Sequence, residues 1–214
     1  MRIIATCKFL VPTLMLASLF VGSASAQDTS FRRVQLVHDI SLEIPSHWKV
    51  LSQETRQNLV AVGKETLKNA DVEGPSGKKI KLLAVNATPD PTGAMISVSV
   101  ISPPEYTQDD LAAATPADLK DIGNETQNMF RKLEVSGGPK IIEMQPVRIE
   151  KLNNYRVLVV PYVRTSKIGT STWQVTQYKI PVSNRLVEIT LSYRQSDAIV
   201  WQPILERVKR SAQF

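Results

Sequence analysis

His38 and His47 are the only imidazoles in this chain of 214 residues, and with Asp39 and Glu43 close by they pose the first chemical question. A metal centre needs three or four such ligands converging on one point. Nine positions of extended chain, at ~3.3 Å each, hold the two rings far apart. The spacings of the established metal motifs are absent as well. No metal ligand set is therefore assigned, and no cofactor is implied. Trp48, which follows His47, reads as an anchor that docks at the edge of the core and fixes the turn after Pro45. Nucleophilic chemistry finds no better footing. Neither G-x-S-x-G nor H-E-x-x-H occurs, and only the same two histidines could serve a serine as base. GPSGKK at 74–79 superficially suggests a phosphate loop. Its glycines stand too close together for that motif, and Lys79 replaces the hydroxyl that would meet magnesium. Carboxylate pairs such as Asp109–Asp110 and Glu143–Glu150 are scattered, and the positive end of a helix explains the first. No catalytic residue is assigned.

Basic side chains gather in two runs: Lys78, Lys79 and Lys81, then Arg207, Lys209 and Arg210 near the C-terminus. If the runs met in space they could hold an anionic ligand such as a phospholipid headgroup or a polyanionic glycan. The plainer reading is two solvated surfaces. Tyr155, Arg156, Tyr162 and Arg164 flank a strongly apolar run and are residue types favoured in protein interfaces. They are equally ordinary for a central strand whose ends reach solvent.

The compartment comes from the first residues. Arg2 and Lys8, the apolar run from Phe9 to Gly22 and the small residues Ala24-Ser25-Ala26 form a secretory signal pattern, with cleavage expected before Gln27. The apolar run contains Pro12 and is shorter than the ~20 residues a spanning helix needs. Cys7, the only cysteine, falls in the part removed. The mature chain thus has no disulfide, thiol nucleophile or thiolate metal site. The signal takes two of the 26 basic residues and none of the 20 acidic ones, leaving a balance of +4. That modest charge and an aromatic content of 6% argue against nucleic acid as a partner. A mature chain of this length buries about 70% of its unfolded surface, enough for a single core without disulfides.

Residues 27–35 read as a polar leader and 36–214 as one domain, with no linker or internal repeat. Leu36 to Ile44 alternates as a strand, with His38, Ile40, Leu42 and Ile44 on one face. A helix follows over 52–69, with Ser52 as its cap. Strands are expected at 79–87 and 94–102, joined by TPDPTG. A short helical turn spans 107–114, and Thr115-Pro116-Ala117-Asp118 opens a longer helix that Gly137-Gly138-Pro139 ends. Four strand-like runs, at 140–150, 154–165, 171–181 and 185–194, are separated by short breaks that force antiparallel pairing. A last helix over 197–211 is kinked or restarted at Pro203. Strands in runs, with helices grouped between them, give an α+β fold: a central antiparallel sheet with helices on its faces.

SLEIPSHWKV at 41–50 resembles the opening of the PsbP-like superfamily, and ITLSYRQSDAIVWQPILERVKRS at 189–211 resembles its ending. The resemblance covers most of 36–214 and implies an α/β/α sandwich. It also implies a protein that binds other proteins or supports a larger assembly, with no shared catalytic residues to carry over. The expectation is therefore an exported, periplasmic or secreted, non-enzymatic binding or assembly factor of the cell envelope, its partner another envelope protein. The competing expectation is a carrier of an anionic or amphipathic small ligand, with a hydrolase third.

Overall fold

The computed structural model describes residues 30–89, 92–166 and 171–214. The signal segment, the first residues of the leader and the Ile168-Gly169 break lie outside them. The second half of the leader is not loose: Phe31–Gln35 forms strand β1, antiparallel to β2 at Ser41–Pro45. The single strand expected from Leu36 is thus a hairpin. Residues 36–40 form its tip, where the Leu36 N–H donates to the Ile40 carbonyl at 2.7 Å. His38 and Asp39 sit there at φ 65° and 60°. Histidine and aspartate tolerate that left-handed region better than most residues, so the apolar alternation runs on through a reversal. Ile40, Leu42 and Ile44 share a buried face, as the pattern requires.

The main sheet begins with β3 (Lys49–Val50), β4 (Lys78–Asn86) and β5 (Ala94–Ser102). It continues with β6 (Ile141–Met144), β7 (Arg148–Leu152), β8 (Tyr155–Thr165), β9 (Thr172–Val182) and β10 (Arg185–Arg194). Their order is β3-β4-β5-β10-β9-β8-β6, and β7 also pairs with β8. Every pairing is antiparallel. The run expected as one strand over 140–150 divides at Gln145-Pro146-Val147, because Pro146 has no N–H to give a ladder. Its two halves dock on different stretches of β8.

Among the described residues four helices cover the sheet: α1 (Gln53–Asn69), α2 (Gln108–Ala113), α3 (Pro116–Val135) and α4 (Ala198–Arg210). Thr107 with Asp110 and Thr115 with Asp118 close capping boxes at the starts of α2 and α3. Hydrogen bonds from the Thr115 backbone and hydroxyl hold the Asp118 carboxyl below its ordinary pKa. Helix α4 runs unbroken through Pro203. On one face of the sheet, the β1–β2 hairpin and α4 bury Leu42, Ile44, Leu205 and Val208 against Val98, Val157 and Ile189. On the other, Phe130 and Leu133 of α3 meet Tyr162, Trp173 and Val175, and Leu111 of α2 meets Leu158 and Val160. The result is an α+β sandwich with apolar packing on both sides of the sheet. Trp48 is 2% exposed and meets Trp201 of α4 edge-on, ring centroids 5.7 Å apart. The indole fixes the corner after Pro45.

Candidate functional site

The two basic runs have different fates. At the C-terminus each cation has an acidic neighbour. Arg207 donates to Glu43 at 3.1 Å and lies 3.9 Å over the Phe31 ring, tying α4 to the hairpin. Lys209 sits 2.9 Å from Glu206 and 3.8 Å from Glu150, while Arg210 donates to Glu206 at 3.1 Å. Arg207 ties the last helix to the hairpin and Lys209 ties it to β7, Arg210 pairs within the helix, and none of the three lines the groove that receives the lysines of β4.

That groove encloses about 710 Å³ and has three sides. One wall is the hairpin tip, through Gln35, Leu36 and Val37. The opposite wall is α1, through Gln53, Arg56, Gln57, Val60, Ala61 and Lys64. Those positions recur every three or four residues and form one helix face. The floor is residues 78–82 of β4, five in succession. Helix α1 accepts this open setting because it has no buried residue. It packs through its C-terminal end, where Leu67 and Ala70 join the cluster around Phe130. Near its start, the Arg56 guanidinium is held by a 2.8 Å bond to the Leu51 carbonyl.

The groove is cationic. Arg56, Lys64, Lys78, Lys79 and Lys81 line it, and among the described residues no carboxylate does. Lys79 is compensated from the neighbouring strand, donating at 2.6 Å to Glu188, which is 7% exposed. Lys64, Lys78 and Lys81 have no ion-pair partner among the described residues. Burial pulls the Lys81 ammonium below its ordinary pKa, and the neighbouring Lys79 charge lowers it further against the pull of Glu188. Apolar surface lies among the charges: Val37 is 59% exposed and Ile80 46%. Fixed cations beside exposed aliphatic side chains suit a ligand that is anionic and partly apolar.

The residues expected at an interface on β8 separate. Tyr162 is 5% exposed and packs on Phe130 at 5.0 Å between centroids, so it presents no docking surface. Arg164 lies 5.8 Å over Trp173 and donates to the Thr165 carbonyl. At the start of the strand Tyr155 meets Phe214 edge-on, and Arg156 beside it is exposed. The whole stretch 157–163 is buried, which is the central-strand alternative. His38 and His47 are exposed in two separate turns. Among the described residues no group of three histidine, cysteine or acidic side chains could hold a metal. Arg56 and Lys64 escaped the sequence reading. Their only signal was the helical spacing that places them with Val60 on one face.

No family model matches the chain, and no curated protein matches it. Solved structures do. The solution structure of the cyanobacterial PsbP, CyanoP, from Synechocystis sp. PCC 6803 is 13% identical. It aligns over 90% of this chain and 98% of its own, with a TM-score of 0.55. LpqN, involved in cell envelope biogenesis of Mycobacterium tuberculosis, is 11% identical over 87% of this chain and 92% of its own, with a TM-score of 0.43. The Saccharomyces cerevisiae Ran-binding protein Mog1p is 13% identical over 86% and 95%, with a TM-score of 0.44. The fold is PsbP-like, and at such identities the likeness speaks to fold alone.

Proposed function

We propose that the chain is an exported, non-enzymatic binding or assembly factor of the cell envelope, acting through protein contacts made at the basic groove. The observation that carries this reading is the lining itself: five cations, no carboxylate among the described residues, and exposed Val37 and Ile80 between them. Glu188 offsets Lys79 alone, so like charges crowded with one counter-ion are a cost to the free protein that an anionic partner relieves. Export rests on the signal pattern at 1–26. Among the described residues no helix is long and apolar enough to cross a membrane.

Crosslinking the tagged mature protein in its own cells, followed by mass spectrometry, tests this. One reproducible envelope protein is expected with the native chain and not with a Lys64→Glu, Lys78→Glu, Lys81→Glu variant whose circular dichroism is unchanged. An identical partner set from both proteins would refute the groove as the binding face.

A second reading, a carrier of an anionic amphiphile, is favoured by Val60, Ala61 and Leu82 in the same lining. Against it, Val37 and Ile80 remain open to solvent where a carrier shields its cargo. Native mass spectrometry decides between the two: a co-purifying small anion, lost in the same variant, would replace the first reading with the second.

A further inference from the structure

The floor of the groove points to how a partner is held. Successive side chains of a strand point to opposite faces of its sheet, so a cleft lying over one face touches every second residue. Here residues 78, 79, 80, 81 and 82 all line the groove. The groove therefore looks at the edge of β4, not at a face. The pairing agrees. β5 runs along one side of β4 from Lys78 to Asn86. On the other side β3 reaches only Val85 and Asn86, and the Leu51 N–H adds a bond to the Ala84 carbonyl. No strand pairs with Lys78–Leu83 on that outer side among the described residues. In an antiparallel pair, alternate residues direct their N–H and C=O away from the partner, so this stretch offers backbone donors and acceptors to the groove.

We infer that the open edge of β4 binds an extended acidic peptide segment as an added antiparallel or parallel strand, clamped between α1 and the hairpin tip. The five floor positions, of which Lys78 and Ile80 are exposed and the rest half-buried, span ~16 Å at ~3.3 Å each, room for about five residues of a partner strand. The charges select the occupant. Lysines on an edge strand, and a bulge such as the register shift between Lys81 and Leu83, are devices that stop an edge from pairing with its own kind. A second copy of this edge would bring Lys78, Lys79 and Lys81 against themselves. A strand carrying glutamate or aspartate at alternate positions can turn all of them to the face of Lys79 and Lys81, in a groove that Arg56 and Lys64 of α1 also line, while its other residues turn to the face of Lys78 and Ile80. Its apolar positions would lie on Val37 and Ile80. This inference rests on the groove being the binding face.

The test uses the mature protein, isotope-labelled for NMR, and an acetylated, amidated hexapeptide alternating glutamate and valine. Two further peptides are N-methylated at the three glutamates or at the three valines, which keeps the charge and removes one row of hydrogen bonds. The expected result is shifts confined to residues 78–84 and the groove walls, with slowed exchange of alternate β4 amides. One of the two methylated peptides should bind at least about tenfold more weakly, because it loses the row of backbone hydrogen bonds made to β4. A peptide with lysine in place of glutamate should not bind. Equal binding of both methylated forms overturns strand addition while leaving the groove as the binding face. Peptide shifts that avoid the groove, or binding only to anionic phosphatidylglycerol vesicles through the same lysines, also overturn it, and the former overturns the binding face too.

Discussion

Trp48 gives the sharpest test of the architecture, because it sits beside a histidine in a stretch that could be mistaken for a site. Its indole is 2% exposed, packs edge-on against Trp201 and belongs to the cluster of Ile44, Leu205 and Val208. A buried indole removes ~200 Å² from water, which at ~25 cal/mol per Å² is worth about 5 kcal/mol. The edge-on pair with Trp201 adds ~1 kcal/mol. Set against this, Trp48 Nε1 is buried with no hydrogen-bond partner among the described residues, a cost of ~1–3 kcal/mol. The net expectation for Trp48→Ala is a loss of about 4 kcal/mol, within the usual range for aromatic truncation in a core. Trp48→Phe keeps most of the apolar area and drops the orphan N–H, so it should cost ~1–2 kcal/mol. His47→Ala, at an exposed position, should change stability by less than ~0.5 kcal/mol. Urea unfolding followed by circular dichroism reads all three, with unchanged m-values required for the comparison. A Trp48→Ala loss below ~1 kcal/mol, or a His47→Ala loss exceeding it, would refute the structural role assigned to this corner.

Three other outcomes follow from particular contacts. Burial pushes the Tyr162 hydroxyl up to about 12, so the folded state keeps its proton where the unfolded chain releases it near 10. That contribution is whole below pH 10 and is lost between about pH 10 and 12. Tyr162→Phe should accordingly unfold later in an alkaline titration than the native chain, by about 2 kcal/mol at the upper end. Lys81 shifts the opposite way: its lowered pKa means that stability rises with pH between that value and 10.5, and Lys81→Met should flatten the rise in thermal midpoint over that range. Gly93 lies under the Trp201 ring, and a Cβ there would come within 2.7 Å of Trp201 Nε1. Gly93→Ala should cost ~1–3 kcal/mol and change the tryptophan fluorescence, since the ring must move off Trp48 to make room.

How much the sequence disclosed depended on the distance over which each feature is encoded. The starts of α2 and α3 are written in four consecutive residues each, a threonine and the aspartate that returns its bond, and both appear where expected. Strands β4, β5, β9 and β10 were legible because alternation or continuous apolar runs are bounded by turn residues. The hairpin at 31–45 was hidden because Leu36 and Ile40 keep the apolar rhythm through a turn made by left-handed His38 and Asp39. The break between β6 and β7 depended on one proline inside a run that otherwise reads as continuous. The site was half visible. Lys78, Lys79 and Lys81 stand out as a run, but what makes them a groove is an α1 face from a separate segment and the absence of a long β3. The C-terminal cations looked equally promising in one dimension. Glu43, Glu150 and Glu206 beside them show that charge runs need their spatial neighbours before they mean anything.

The most direct test of the binding face is site-specific photo-crosslinking in the cell. A photoreactive residue would be placed at Ile80 in the groove or at Ile199, which is 88% exposed at the start of α4 and outside the groove lining. The account predicts a discrete adduct with an envelope protein from position 80 that disappears when Lys64, Lys78 and Lys81 are reversed to glutamate, and no such adduct from position 199. An adduct from position 199 alone, or one from position 80 that survives the reversal, would contradict it.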